Sequence, residues 1–113
     1  MKVEFLTLPS GRRPAEEFLE DLDDKTIAKI YKLVERLEVE GRLLFPHARK
    51  LEGYRGLWEM RILSQRGAVR IFYVYWQHDT VLLVSGFMKK SQKTPTRELE
   101  RAVNYLKQGG VNL

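Results

Sequence analysis

The chain has 113 residues, a net charge of +5 at neutral pH and no cysteine; 43% of its residues are hydrophobic and 31% are charged. These values predict one folded domain over residues 1–113 and exclude disulfides, thiolate metal sites and cysteine nucleophiles. No apolar run approaches the roughly 20 residues of a membrane helix, and the first residues lack a signal peptide's apolar stretch, so we expect a cytoplasmic protein.

The first predicted elements are a strand and a short helix. Apolar residues dominate Val3–Leu8, and the turn signal Pro9-Ser10-Gly11 follows, which predicts a strand before it. Pro14 suits the first position of a helix, and apolar residues then recur at helical spacing as far as Leu22.

A second helix is predicted after this one. Asp23 or Asp24 can cap its start, and Gly41 ends it. Its predicted apolar stripe consists of Ile27, Ile30, Tyr31, Val34 and Leu37. We expect the two helices to form a hairpin whose apolar faces cover a sheet.

The rest of the chain predicts a loop, three strands and a last helix. Residues 42–56 show no period and contain Pro46 and two glycines, which indicates a basic connecting loop. Strands are predicted over residues 57–63, 69–77 and 81–87, joined by short turns. Thr94 as N-cap and Pro95 as first helical residue then predict a helix that ends near Gly109-Gly110. The order β-α-α-β-β-β-α predicts an α+β fold with a twisted, mainly antiparallel sheet.

The positive charge is concentrated in the C-terminal part of the chain. Residues 1–41 contain 7 basic and 10 acidic side chains, whereas residues 42–113 contain 13 basic and 5 acidic ones. A basic segment of this kind favours a polyanionic partner, with nucleic acid first and an acidic protein second, although a solvated surface without a partner has the same pattern.

Charged residues interrupt two of the predicted strands. Glu59 and Arg61 alternate with Trp58, Met60 and Ile62, and Arg70 opens the most apolar strand. If the helices cover the Trp58 face, Glu59 and Arg61 lie on the other face, and a neighbouring strand could place Arg70 beside them. The alternative is a solvated cross-strand pair between Glu59 and either arginine, which stabilises little.

A second basic group follows the last strand. Lys89, Lys90 and Lys93 lead into the start of the final helix, whose free N–H groups also favour phosphate. A charged loop that keeps the protein soluble is the alternative. His47 and His78 are acid or base candidates by residue type, but surface positions explain both, and no set of residues has metal-ligand spacing. Gly-rich phosphate loops and nucleophile-elbow motifs are also absent from the sequence.

Three segments together resemble a known family. They are residues 50–61, with Leu-Trp-Glu-x-Arg; residues 69–73, with Arg-Ile-Phe-Tyr after Val69; and residues 85–95, with Gly-Phe-x-Lys-Lys-x-Gln-Lys-Thr-Pro. In this order, within a match over about residues 47–106, the segments are similar to the phage-derived, HigB-like branch of the RelE/ParE toxin superfamily.

The resemblance implies a ribosome-dependent, metal-independent endoribonuclease without a cofactor that cuts mRNA in the A site. It also implies a HigA-like helix-turn-helix antitoxin as partner, with DNA contacted only through the antitoxin complex and no membrane association. The family pattern places basic residues around the scissile phosphate at positions that resemble Arg61, Arg70 and Lys89 or Lys90, and we take Glu59, Arg61, Arg70 and Lys90 as the catalytic candidates. RNA-binding positions would be Lys50, Arg55, Lys89 and Lys93.

We expect Arg70 to be the main phosphate ligand, because it projects from a rigid strand and a guanidinium can bind two oxygens at once. Glu59 is expected to orient Arg61 or to accept a proton. RelE has a tyrosine near the start of its last helix, but this chain has none between Lys89 and Ala102, so the general base stays open.

Two other functions fit the same fold. A ParE-type toxin would poison DNA gyrase without cutting RNA, and a non-enzymatic regulator would use its basic face only to bind an acidic partner.

Overall fold

The computed structural model describes residues 1–90 and 93–113, within which it has three helices and five strands. In chain order these are β1 (Lys2–Phe5), α1 (Pro14–Glu20), α2 (Asp24–Glu40), β2 (Ala48–Lys50), β3 (Trp58–Ser64), β4 (Gly67–Trp76), β5 (Thr80–Lys89) and α3 (Thr96–Gln108). The strands lie in the order β1-β5-β4-β3-β2; β1 pairs with β5 in parallel, and the other neighbours are antiparallel. The predicted α+β class with a mainly antiparallel sheet is confirmed.

The helical hairpin covers one face of the sheet, as predicted. Pro14 is the first residue of α1, and α2 runs from its cap at Asp23 to Gly41, which adopts the left-handed conformation that glycine tolerates. The buried core residues that these helices share with the sheet include Ile30, Leu37, Met60 and Ile71.

Two residues of the predicted stripe on α2, Ile27 and Tyr31, lie outside the buried core, and Ile27 is half-buried. Tyr31 is exposed, and Leu33 is buried instead. The helical period explains the exchange, because Leu33 follows Ile30 by three residues and precedes Leu37 by four, so all three lie on one side of the helix.

The last helix packs on the opposite face of the sheet. Its residues Leu99, Ala102 and Leu106 form a second core cluster with Phe72 and Val74 of β4. Both faces of the sheet are therefore covered in part, and the charged residues of β3 lie on the α3 side. In the described part of the chain, none of the helices has both the length and the apolar character required to cross a membrane.

Two local predictions differ from the structure. The segment 42–56 contains the strand β2, which pairs with Trp58–Met60; three residues are too few to show a period. Thr94 is not the N-cap of α3, because Pro95 occupies that position and the helix begins at Thr96. The Thr94 hydroxyl instead donates a hydrogen bond to the carboxylate of Glu59, with 2.8 Å between Oγ1 and Oε2.

Candidate active site

Strand register places the two strand arginines together. Arg61 of β3 lies directly opposite Arg70 of β4, and Arg70 lies opposite Phe87 of β5. Directly paired residues project to the same face of a sheet, and so do residues two positions apart along a strand. Glu59 and Lys89 therefore share this face with the arginines, in agreement with the orientation predicted from the alternation of β3.

Glu59 lies at the centre of this group and is completely buried. Its Oε1 is 2.9 Å from Nε of Arg70, while its Oε2 accepts the hydrogen bond from Thr94 and is 3.9 Å from a guanidinium nitrogen of Arg49. The Nε–H bond is not aligned with Oε1, so the Arg70 contact is an ion pair rather than a directed hydrogen bond. Glu59 thus pairs with Arg70 and not with Arg61, and the pair is buried rather than solvated.

Arg70 is the least accessible cation of the group, with 5% of its surface exposed. Besides the contact with Glu59, its Nη1 donates to the carbonyl oxygen of Val69 at 3.0 Å. Burial lowers the pKa of Arg70 from its ordinary value; Glu59 opposes this effect, and the charges of Arg61 and Arg49 add to it.

Two cations, Arg70 and Arg49, lie within 4 Å of this carboxylate, and Arg61 and Lys89 project from the same face of the sheet. We call Arg49, Arg61, Arg70 and Lys89 the basic cluster. Lys89 is half-buried, and burial lowers its pKa; Arg70, Arg49 and Arg61 lower it further, whereas Glu59 raises it. Strand register brings the four side chains to one face of the sheet, and their mutual effects on the pKa of Lys89 agree with this placement. The cluster has more positive charge than Glu59 can balance, which makes it suited to bind an anion.

A cleft of about 470 Å³ adjoins the basic cluster. It lies between α2 and the part of β3 beyond Met60, where β2 no longer pairs. Its lining residues are Lys29, Lys32, Leu33, Arg36, Pro46, His47, Arg61, Ile62, Leu63 and Arg70. No Asp or Glu belongs to this set of described residues. The α2 cleft, as we name it, therefore has an apolar floor and a positively charged rim. Arg61 and Arg70 belong to its lining at the edge of β3, although strand alternation directs both side chains to the α3 face.

Phe45 stands beside this cleft with 76% of its surface exposed. The guanidinium carbon of Arg61 is 5.8 Å from the centre of the Phe45 ring, within the range of a cation–π contact. Phe45 and Arg49 were not among the residues predicted from the sequence. The sequence signal that could have identified them is an aromatic residue in a loop with several basic residues. Loops often contribute binding residues, so this composition indicates a binding role.

The other predicted site residues are more dispersed. Lys90 is exposed directly after β5, and Lys93 is exposed shortly before α3. Lys50 pairs with Trp58 and so projects from the face opposite to the basic cluster, and Arg55 is exposed in the segment between β2 and β3. Ser91 and Gln92, which belong to the third segment of the resemblance, lie outside the described residues.

The two histidines also occupy different places. His47 lines the α2 cleft, and its carbonyl oxygen accepts a hydrogen bond from the backbone N–H of Arg61 at 2.8 Å. His78 lies in the turn between β4 and β5, at the end of β4 remote from Arg70. Among the residues that the structure describes, no group of three or more His, Asp or Glu side chains is arranged to hold a metal ion.

Comparisons with known proteins give a family and a fold. The sequence matches the family described as "Phage derived protein Gp49-like (DUF891)" over residues 17–107, which is most of the chain. The structure is similar to that of the E. coli toxin RelE in the free state, solved as a mutant with two arginines replaced by alanine. That match has a TM-score of 0.52 and 20% identity, and it covers 80% of this chain and 86% of the RelE chain. At this identity the likeness concerns the fold alone. No curated protein sequence matches the chain.

Proposed function

Because the chain belongs to the phage-derived Gp49-like family, within the RelE superfamily, we propose that it is the toxin of a toxin–antitoxin pair and cleaves mRNA on the ribosome. The observation that supports this chemistry is the basic cluster, in which four cations share one face of the sheet with a single buried carboxylate. Its partners would be a HigA-like helix-turn-helix antitoxin and the translating ribosome.

The proposed reaction is attack of an RNA 2′-hydroxyl on the adjacent phosphate. The new P–O bond forms as the bond to the 5′-oxygen breaks, the 2′-hydroxyl proton passes to water, and the leaving oxygen takes a proton from water. In the transition state, negative charge grows on the phosphate oxygens and on the leaving oxygen. Guanidinium and ammonium groups that already converge on this position stabilise that charge, which is the contribution that a metal ion makes in other nucleases. No cofactor is then needed.

Arg61 and Arg70 divide this task according to their exposure. Arg61 is half-buried and reaches the α2 cleft, so its guanidinium can bind the phosphate with two nitrogens. Arg70 also lines the cleft but is almost completely buried and is held by Glu59 and by the carbonyl oxygen of Val69, so it adds fixed positive charge close to the same phosphate. Lys89 and Lys90 add charge from β5, where Lys89 is close enough to act on either arginine.

Glu59 acts as a positioning residue in this proposal. Its carboxylate is completely buried and contacts Arg70, Thr94 and Arg49, so it holds Arg70 in place and has little access to a substrate proton. Lys93 and Arg55 are exposed and suited to contact RNA backbone, while Lys50 would contact a part of the RNA that reaches the other face of the sheet.

The test is to induce the toxin in cells and follow growth together with primer extension on translated messages. We expect the wild type to arrest growth and to produce cuts inside reading frames, and Arg61→Ala to remove both effects. Lys107→Ala is the matched control, because this exposed residue lies in the last turn of α3, roughly 17 Å along the helix from its start near the cluster. Circular dichroism confirms that each variant is folded.

The outcome that contradicts the proposal is a folded Arg61→Ala variant as toxic as the wild type. Growth arrest without mRNA cuts, together with loss of DNA supercoiling by gyrase, would assign the chain to the gyrase-poisoning type instead. An Arg61→Lys variant that binds an acidic partner protein as tightly as the wild type, with no mRNA cuts by either protein, would favour the non-enzymatic regulator. A lysine keeps the charge that such binding needs but cannot replace a bidentate guanidinium in catalysis.

A further inference from the structure

Large apolar side chains are exposed at the mouth of the α2 cleft. Phe45 is 76% exposed, Leu63 is 74% exposed and lines the cleft, and Leu44 precedes Phe45 in the same loop. Single exposed apolar residues are common, but an aromatic ring beside a cationic cleft combines the two groups that bind a nucleotide, by stacking and by charge. The mouth of the cleft is therefore a candidate base-binding position.

The α2 side of the cleft supplies a row of positive charges. Lys29, Lys32 and Arg36 follow one another at helical spacing and extend over roughly 10 Å of helix. Lys29 donates to the carbonyl oxygen of Leu63 at 3.0 Å and so fixes α2 to β3. Arg36 has an exposed contact of 3.6 Å with Glu40, a kind of pair that binds weakly and can exchange for a phosphate.

The row and the basic cluster meet at the edge of β3 that β2 leaves free, where Arg61 and Arg70 line the cleft, and no acidic residue belongs to the described lining. Arg61 belongs to the cluster, lines the cleft and contacts the Phe45 ring, so it joins the three features. A chain of phosphates fits this arrangement better than an acidic protein segment, because the exposed face of an aromatic ring beside the phosphate ligand provides a place for a base.

We propose that the α2 cleft binds the single-stranded RNA next to the cleaved phosphate. Phe45 stacks on the flanking base, and Lys32 and Arg36 bind the phosphates that follow. This inference rests on the proposed function, since it takes the cluster as the phosphate site. It makes Phe45 a specificity-determining residue, because stacking strength differs between bases.

The experiment measures binding of a short 2′-O-methyl RNA oligonucleotide to the purified full chain. This probe lacks the attacking hydroxyl, so it cannot be cut, and one 2-aminopurine in it reports stacking by its fluorescence. We expect Phe45→Leu to weaken binding at least about fivefold and to remove the fluorescence change, and Phe45→Tyr to retain both. Leu44→Ala is the matched control for an exposed apolar residue of the same loop.

The charge row is tested by salt dependence. Lys32→Ala should reduce the slope of log affinity against log salt concentration by about 0.7, the value for one phosphate contact in a single strand, and Lys107→Ala should leave the slope unchanged. The inference is overturned if Phe45→Leu binds the probe with unchanged affinity and unchanged fluorescence. If that variant has in addition lost affinity for the antitoxin, the surface is a protein interface and not an RNA-binding site.

The result with the wild type separates this inference from the proposed function. A wild type that cuts mRNA in cells, combined with a Phe45→Leu variant that binds the probe normally, rejects only the RNA path. A wild type that neither cuts mRNA nor binds the probe rejects both.

Discussion

At the residue scale, the central feature is a buried arginine that a buried glutamate holds. Breaking such a pair by removing one partner costs about 3 to 5 kcal/mol, whereas an apolar pair in its place is often no less stable. The Glu59–Arg70 contact is therefore weak evidence for a role in stability alone. It is better explained by the need to keep a guanidinium at a fixed position beside the α2 cleft.

Lys89 gives a prediction about stability and pH. Burial and neighbouring cations lower its pKa in the folded protein below its usual 10.5, so the folded state holds this proton less tightly than the unfolded state. The charged lysine therefore destabilises the fold at neutral pH, and the penalty disappears as pH rises from the lowered pKa towards 10.5. We expect Lys89→Met to raise the urea midpoint at pH 7 and this gain to shrink in alkaline solution.

Urea unfolding at several pH values checks this expectation, with Lys107→Met as the exposed control. The same variant should bind RNA more weakly, because the charge that destabilises the fold is part of the basic cluster. A lower midpoint at pH 7, or a gain that grows with pH, would contradict the role assigned to Lys89.

At the element scale, the sequence predicts the main result of the pairing between β3 and β4, which is that Glu59, Arg61 and Arg70 share one face of the sheet. Alternation along β3 placed Glu59 and Arg61 on the face opposite to Trp58, and the short turn after Ser64 brings Arg70 beside Arg61. The partner of Glu59 could not be predicted, because the choice between Arg61 and Arg70 depends on side-chain directions. The role of Thr94 could not be predicted either. A Thr before Pro is typical of a helix start, but here the Thr94 hydroxyl donates a hydrogen bond to the buried carboxylate of Glu59.

Phe45 and Arg49 show a second limit at this scale. Both lie in a segment without hydrophobic period, so the sequence gives no information on which face they occupy. Their positions follow from β2, whose pairing with β3 brings Arg49 opposite Glu59. A strand of three residues acquires its place from its neighbours rather than from its own pattern.

The contact between α1 and β5 gives a prediction for an element. A Cβ atom on Gly86 would lie 2.3 Å from the ring of Phe18, so any larger residue must push α1 away from the sheet. We expect Gly86→Ala to lower the free energy of unfolding by about 1 to 3 kcal/mol, as overpacked cores do. Phe18→Leu in the same chain should restore part of the loss, since it removes the ring that clashes.

Urea unfolding of the two single variants and the double variant measures this coupling. Stability of Gly86→Ala equal to that of the wild type would contradict the close packing. So would strictly additive losses in the double variant.

At the scale of the whole molecule, helices on both faces leave one region of the sheet open. The hairpin of α1 and α2 covers one face and α3 part of the other, while β2 pairs only with the first residues of β3. The open region combines the basic cluster, the α2 cleft and the exposed ring of Phe45. The N-terminal part of the chain is acidic as a whole, yet it contributes positive charge to the α2 cleft. Lys29, Lys32 and Arg36 share the side of α2 that lines this cleft.

The most direct measurement is the single-turnover rate at which the purified chain cuts a message held in a ribosome with a vacant A site. If the basic cluster stabilises the transition state, Arg61→Ala should lower this rate by a factor of about 100 to 1,000, and Lys107→Ala should leave it unchanged. A 2′-deoxy substitution at the cut nucleotide should abolish cleavage by the wild type. A folded Arg61→Ala variant that cuts as fast as the wild type would contradict the assignment of this cluster as the catalytic site.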